Sequence, residues 1–472
     1  MMNVVKRVTS NSLFVLLIKF FDILFNLVIS IALAKYFGRA GFGKLSFLAT
    51  FFFFLGSVDN QWIRPIVIRQ VSRNQTDSRR IIGNALVIRA LISVTAIVLF
   101  WLTILLVRPS GDVAFLALFT SIGLLFSSII SSYETILQAR LKMGYCLWYS
   151  LLNKAMTLLL IYGVATYGGN LFHFYSLSLI PHFMLLLQVR YSSQKIIRPE
   201  FVIDLGLWRI LFKESWPLAL TAVFIFIYQR LDHIILFRLK GPEAAGLYSA
   251  AVKIAESLHI LPMALAMSVL PLLSEYHRTS RDYFEKIYRL CFKYMLLFIL
   301  PVACYVSFYS GRIILLFGKD FLPSATALRI LVWAEVFVFL GIINNSILIA
   351  ANKQKIDPLF TGVSAIINIV LNLVLIPRYN ILGAAIASFI SYSVGPFMGY
   401  FIPATSDYSR CMCYYSLKPS LASLLTMAII YYGNFPLWLS VFSAPAIYLI
   451  AVYLIKGITR EDIRIMKSAL FA

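Results

Sequence analysis

A small set of charged side chains lies inside apolar stretches of this chain, and any chemistry there falls to them. The cations are Lys19, Arg64, Arg89, Arg230, Lys253 and Lys293; the anions are Asp22, Asp59, Glu134, Asp232, Glu256 and Glu335. A charge at the centre of a bilayer costs at least about 2.5–3.5 kcal/mol on insertion scales, so each is a functional candidate. A guanidinium can grip an oxyanion through two parallel hydrogen bonds, and carboxylates can hold hard cations or protons. Lys19 and Asp22, and Lys253 and Glu256, are spaced to neutralise each other at i, i+3. Arg64 and Arg89 have no opposite charge at i±3 or i±4, so they are the foremost candidates for contact with an external anion. Lys293 and Glu134 lie near span ends and read as snorkelling or structural groups. For each of these charges, structural pairing and ligand contact both stay open. His233 and His259 read as packed, hydrogen-bonded histidines before proton carriers. No GxxxxGK[ST] segment offers direct nucleotide use, and no clustered carboxylate or histidine motif offers catalysis. The chain is therefore not read as an enzyme, and no cofactor is expected.

The elements that carry these residues follow from composition. Of the 472 residues, 60% are apolar and 13% are charged. Soluble domains are about 25% charged, so a chain of three soluble domains is excluded. The apolar runs are continuous and far longer than the roughly 10 alternating residues of a barrel strand, which excludes a β-barrel. The chain reads as an all-α polytopic membrane protein with about fourteen transmembrane helices of roughly 20 residues each. The spans are 11–34, 43–71, 81–107, 113–137, 147–167, 171–189, 215–239, 246–274, 288–309, 327–351, 358–376, 381–402, 418–433 and 435–455. The net charge of +22 is read as cationic cytoplasmic loops, not as a nucleic-acid surface. Loops with Arg69, Arg79, Arg80, Arg190, Arg198, Arg278, Arg281 and Lys353 fall on one side and place both termini in the cytoplasm. The connection at 190–214 carries Leu205, Trp208, Leu211 and Phe212 with Arg209 and Lys213 between them, the pattern of an interfacial amphipathic helix. The five cysteines form no disulfide framework, and Cys411 and Cys413 lack the partners of a zinc site.

The chain also repeats itself. Gly38-Arg39-Ala40-Gly41-Phe42-Gly43-Lys44-Leu45-Ser46 matches Gly241-Pro242-Glu243-Ala244-Ala245-Gly246-Leu247-Tyr248-Ser249 at an offset of 203. Ile136-Leu137-Gln138-Ala139 followed by Lys142 matches Ile347-Leu348-Ile349-Ala350 followed by Lys353 at an offset of 211. Six spans separate the copies, so the repeat is parallel, as in secondary transporters with a substrate site between two halves. The expected domains are an N-lobe over 1–200 (spans 1–6), a C-lobe over 201–402 (spans 7–12), and 403–472, with two C-terminal helices and a cytoplasmic tail.

Gly246-Leu247-Tyr248-Ser249-Ala250-Ala251, with Leu261-Pro262 and Leu270-Pro271 beyond it, resembles the eighth span of bacterial polysaccharide flippases. So does Leu371-Asn372-Leu373-Val374-Leu375-Ile376-Pro377-Arg378-Tyr379, continuing through Ile381-Leu382-Gly383-Ala384-Ala385-Ile386-Ala387. Leu33-Ala34-Lys35-Tyr36-Phe37-Gly38 through Gly43 resembles their first periplasmic loop. The resemblance is to the O-antigen (Wzx) type of oligosaccharide flippase, in the multidrug/oligosaccharidyl-lipid/polysaccharide exporter superfamily, and runs from about residue 10 to 455. It implies two six-helix lobes in a bacterial inner membrane, moving an undecaprenyl-pyrophosphate-linked oligosaccharide from the cytoplasmic to the periplasmic leaflet by alternating access. The implied partners are that lipid-linked oligosaccharide, membrane lipids, and a polysaccharide polymerase with its chain-length proteins; nucleic acid is not among them. Lys19, Arg64, Arg89, Arg230 and Lys253 would then face the cavity and attract the pyrophosphate.

A lipid-precursor flippase of the same superfamily has a sodium site built from an acid on span 7, Asn-x-x-x-Asp on span 11 and a hydroxyl on span 12. This sequence resembles that pattern at Asp232, Asn368 and Ser388, and departs from it at Asn372, where the acid becomes an amide. The resemblance implies coupling to a sodium or a proton gradient there, and no other metal. The competing functions are export of a drug or another lipid-linked precursor and, less well matched, a membrane-embedded polymerase, which would carry a large periplasmic loop that this sequence lacks.

Overall fold

The computed structural model describes residues 2–59, 63–73, 77–402, 405–433 and 435–457. Their regular structure is helical throughout, as expected where lipid leaves no water to satisfy backbone groups. The helices are α1 (Met2–Val58), α2 (Arg64–Arg73), α3 (Ser78–Val107), α4 (Gly111–Ala139), α5 (Met143–Thr166), α6 (Leu171–Gln194) and α7 (Leu205–Glu256). They continue as α8 (Ile260–Thr279), α9 (Arg281–Ile314), α10 (Ser324–Ala350), α11 (Asp357–Tyr379), α12 (Ile381–Phe401), α13 (Ser406–Tyr432) and α14 (Leu437–Leu454).

Among the described residues, ten helical stretches are long and apolar enough to cross a membrane. Two of them, Leu13–Val58 with 46 residues and Ala219–Thr279 with 61, are far longer than one crossing needs. Each is bent at a glycine. Gly38 has φ 68° and ψ −173°, and Gly241 has φ 84° and ψ 178°. Side chains other than glycine rarely adopt this conformation, so the two residues aligned at offset 203 make the same break. Five residues on, Gly43 and Gly246 meet: a Cβ on Gly43 would overlap the Pro242 carbonyl, and one on Gly246 would overlap that of Arg39. Only backbone fits at this crossing.

Two boundaries differ from the sequence expectation. Along the second span α-helix runs to Val58 and resumes at Arg64, with Asp59 and Ile63 in π-helical conformation. The segment expected to be an interfacial helix is the start of α7; Leu211 is buried and Trp208 packs against the same core, although Leu205 stays exposed. Leu207, Trp208 and Leu211 cover protein while Leu205 and Phe212 stay exposed, a division that the alternation of apolar and basic residues alone does not reveal. The thirteenth helix begins at Ser406, well before 418. The basic tail expected beyond residue 457, with Arg460, Arg464 and Lys467, lies outside the described residues.

The chain forms two compact units, one of residues 1–253 and 361–384, the other of residues 254–360 and 385–472. In the first, Val67, Ile82, Ile136, Leu137 and Val189 make a buried core from α2, α3, α4 and α6. In the second, α13 and α14 pack on α9 through Leu297, Ala422, Tyr448 and Val452, and the Tyr448 hydroxyl donates to the Leu297 carbonyl at 2.8 Å.

Asn84 ties the connection before α7 to α3. Fully buried, its Nδ2 donates to the carbonyls of Arg80 and Val202, both at 2.8 Å, and its Oδ1 accepts from the Asp204 amide at 2.9 Å and Trp208 Nε1 at 2.7 Å. The Glu200 amide donates to the Arg79 carbonyl, and Arg80 pairs with Asp204 at 2.8 Å.

Candidate functional site

The first unit gathers charges from four helices. At the end of α1, Asp59 accepts from Arg89 Nε at 2.5 Å and from the Ser131 hydroxyl, and lies 3.3 Å from Arg64 Nε. Arg64 also reaches Glu134 at 2.9 Å and Ser131 at 2.7 Å, while Arg89 donates to Thr135 at 3.0 Å. On α4, Ser128, Ser131, Glu134 and Thr135 follow helical spacing and therefore share one face. The Ser128 hydroxyl completes the set by donating to the Arg89 carbonyl. Two guanidinium groups and two carboxylates leave the network with no net charge.

This corrects the expectation that Arg64 and Arg89 are unpaired donors for an external anion. Their counter-ions lie on other helices, where i±3 and i±4 spacing cannot find them. Arg89 is 3% exposed, and its Nη1 is the one atom of that group left without a hydrogen-bond partner.

A second polar seam runs between α1 and α5. Lys19, Asp22 and Asn26 follow helical spacing on α1. Asp22 does not pair with Lys19 as its i, i+3 spacing suggested; it accepts from Ser150 at 3.1 Å and lies 3.5 Å from Lys154, which donates to Asn26 at 2.6 Å. Lys19 is half-buried and has no ionic or hydrogen-bond partner among the described residues. Sequence reasoning passed over Lys154, although its place inside the apolar stretch 147–167 was the signal that could have found it.

Arg230 is buried, with its guanidinium carbon 4.1 Å from the centroid of the Phe53 ring, a cation–π contact. Phe51 is also buried, against Phe100 at 4.3 Å, so the run of four phenylalanines is partly interior. Lys253, in the last turn of α7, is half-buried.

The residues expected to couple an ion are all buried. Asp232 accepts from the His233 backbone amide at 2.7 Å, lies 2.8 Å from His233 Nδ1, and accepts from the Tyr248 hydroxyl at 2.5 Å. His233 and Tyr248 were not foreseen as its partners. Asn372 Nδ2 donates to Asn368 Oδ1 at 2.8 Å, as the i, i+4 spacing requires, and Asn372 Oδ1 is buried with no hydrogen-bond partner. These three residues belong to the first unit, and Ser388 to the second.

The sequence model of the family described as "Polysaccharide biosynthesis protein" matches residues 8–277, and the MatE family model matches residues 217–374. The chain is 24% identical over 320 residues to the capsular polysaccharide biosynthesis protein CapF of Staphylococcus aureus, covering 65% of this chain and 79% of that protein. It is 23% identical over 188 residues to the "Probable low-salt glycan biosynthesis flippase Agl15" of Haloferax volcanii, covering 39% of this chain but only 40% of that protein's length. Its fold is similar to the solved structure of the lipid II flippase MurJ in an inward closed conformation, with a TM-score of 0.74 at 19% identity over 94% of this chain and 98% of that one.

Proposed function

Because the chain belongs to the polysaccharide biosynthesis protein family, we propose that it is a flippase that carries an undecaprenyl-pyrophosphate-linked oligosaccharide from the cytoplasmic to the periplasmic leaflet of the bacterial inner membrane. One observation carries the choice of an anionic head group. Lys19 sits within an apolar helix, half-buried, without a counter-ion among the described residues, whereas the neighbouring charges are compensated. An ammonium kept in that setting is matched to an anion that arrives and leaves. Lys154, Arg230 and Lys253 are the further cations of this unit that would guide a pyrophosphate. Arg64 and Arg89 act on it indirectly, by holding α2, α3 and α4 in register.

The crossing at Gly43 and Gly246 supports alternating access, since helices that meet through backbone can separate without unthreading side chains. Asp232, Asn368 and Asn372 carry the hard oxygen donors that sodium takes, and Asn372 Oδ1 is unfilled; sodium held by them would supply fixed positive charge. A polymerase with its chain-length proteins would take up the delivered unit.

The test is a deletion strain complemented with wild type or with Lys19→Gln. In the deletion, the lipid-linked oligosaccharide should accumulate on the cytoplasmic side while surface glycan disappears. Lys19→Gln should lower surface glycan at least about tenfold, as loss of one charge-assisted contact implies, at an unchanged protein level. A deletion strain that never assembles the lipid-linked unit would overturn the reading in favour of an upstream role. Accumulation of a different lipid-linked precursor would favour another substrate in the superfamily.

A further inference from the structure

In the first unit, the outer face of α11 is an apolar row that ends on a cation. Ile366, Val370 and Val374 follow i, i+4 spacing, and Arg378 stands four residues further along the same face. These three side chains, with Leu373 beside them, are 49–62% exposed, and Arg378 is exposed as well. The helix is long and apolar enough to cross a membrane, so a bare apolar row on it faces lipid. From Ile366 to Arg378 the row rises about 18 Å, against about 15 Å of hydrocarbon in one leaflet. It is long enough for one acyl chain with a polar group at its end.

The bent part of α7 brings two more cations to that end. Lys240 Nζ donates to the Pro377 carbonyl at 2.8 Å, one of the acceptors that the last turn of α11 leaves open. This contact sets the residues just before the Gly241 bend beside Arg378. An ammonium has three hydrogens, so two remain on the exposed Lys240. Arg238, two residues earlier, is also exposed. Arg238 and Arg378 have no ionic or hydrogen-bond partner among the described residues. Across 238–243 and 376–381 the one acid is Glu243, beyond the bend, so positive charge is in excess. The charge bias that orients the chain gathers Lys and Arg at the opposite ends of the spans, so topology does not account for three cations here.

We infer that Arg238, Lys240 and Arg378 hold the phosphate of an anionic phospholipid in the leaflet at this end, with an acyl chain along Ile366, Val370 and Val374. Phosphate oxygens suit both the guanidinium forks and the remaining ammonium hydrogens. The excess positive charge selects a headgroup with net negative charge over a zwitterionic one, whose own ammonium would oppose it. The bound lipid bridges α7 and α11 next to the Gly241 bend. The site is independent of which substrate the chain carries.

The purified full chain in detergent is mixed with phosphatidylglycerol or phosphatidylcholine of the same acyl composition, each with a photoactivated diazirine in one chain. After illumination, mass spectrometry reads the labelling of residues 361–376. Wild type should take the phosphatidylglycerol probe at least about tenfold more than the phosphatidylcholine probe, as charge-assisted contacts imply. The preference should vanish in the double variant Lys240→Gln with Arg378→Gln and shrink as salt is raised. Arg378→Gln alone breaks no contact within the described chain, so it keeps the wild-type unfolding midpoint in phosphatidylcholine while already weakening the preference. Phosphatidylglycerol should raise the midpoint of wild type more than that of either variant. Equal labelling by the two probes, or a preference unmoved in both variants, would overturn the inference. So would displacement of the phosphatidylglycerol probe by undecaprenyl pyrophosphate in preference to unlabelled phosphatidylglycerol, because the cations would then serve the substrate. The flippase reading stands or falls separately, because none of these measurements follows transport.

Discussion

Replacing Asn84 with alanine tests whether one buried amide holds the connection between α6 and α7. Four hydrogen bonds are lost, but not with equal effect. The Arg80 carbonyl keeps its helical bond to the residue 84 amide, and Val202 is 49% exposed, so its carbonyl can turn to water. The Asp204 amide and Trp208 Nε1 are half-buried and have no ready substitute. At about 1–3 kcal/mol for each of the two orphaned groups, the variant should lose roughly 2–6 kcal/mol. Trp208→Phe alone removes one donor and leaves Asn84 Oδ1 satisfied by Asp204, so it should cost only about 1 kcal/mol. The two changes should not add, because in the Asn84→Ala background Trp208→Phe deletes a donor that is already stranded and should be neutral or slightly stabilising. Unfolding in detergent measures the energies, and amide exchange over residues 198–208 reports the local release. Equal effects of Trp208→Phe in both backgrounds would refute the reasoning, and so would an Asn84→Ala loss well under about 1 kcal/mol.

Arg89→Met should destabilise the first unit by about 3–5 kcal/mol, since Asp59 keeps Arg64 as a counter-ion and the Ser131 hydroxyl as a donor. The double change Asp59→Leu with Arg89→Met should be milder than Arg89→Met alone, as unfolding midpoints of the three proteins would show. Gly43→Ala and Gly246→Ala should each lower the unfolding midpoint, with overpacking of about 1–3 kcal/mol, and the double variant should lose less than the sum because either methyl already parts the crossing.

Features with a one-dimensional signature were legible in the sequence. Apolar run length revealed the membrane helices, the Gly38 and Gly241 motifs marked the two bends, and the Asn368–Asn372 spacing put both amides on one helix face, where they meet. Partners on different helices were not legible. Glu134 stands 70 residues from Arg64, and Glu335 stands 76 from His259, so spacing rules written for one helix pass over both pairs. The same limit turned Lys19 and Asp22 into an expected pair, whereas Lys154, 132 residues beyond Asp22, is the lysine that Asp22 meets. Helix continuity was misjudged in α7 because an amphipathic stretch facing protein and one facing lipid share the same pattern.

The neutral network of Asp59, Arg64, Arg89 and Glu134 has a consequence for biogenesis. Its members leave the ribosome in order: Asp59 and Arg64 around the join of α1 and α2, then Arg89 in α3, then Glu134 with its serines in α4. Until α4 is made, the nascent helices hold two arginines against one aspartate. Each unmatched charge opposes release into lipid by about 2.5–3.5 kcal/mol on insertion scales, so α2 and α3 are better retained beside the translocation channel than released singly. The arrival of α4 cancels the excess charge and lets the helices enter the bilayer together. The charges that lock this part of the folded protein thereby set the size of the packet in which it is delivered to the membrane.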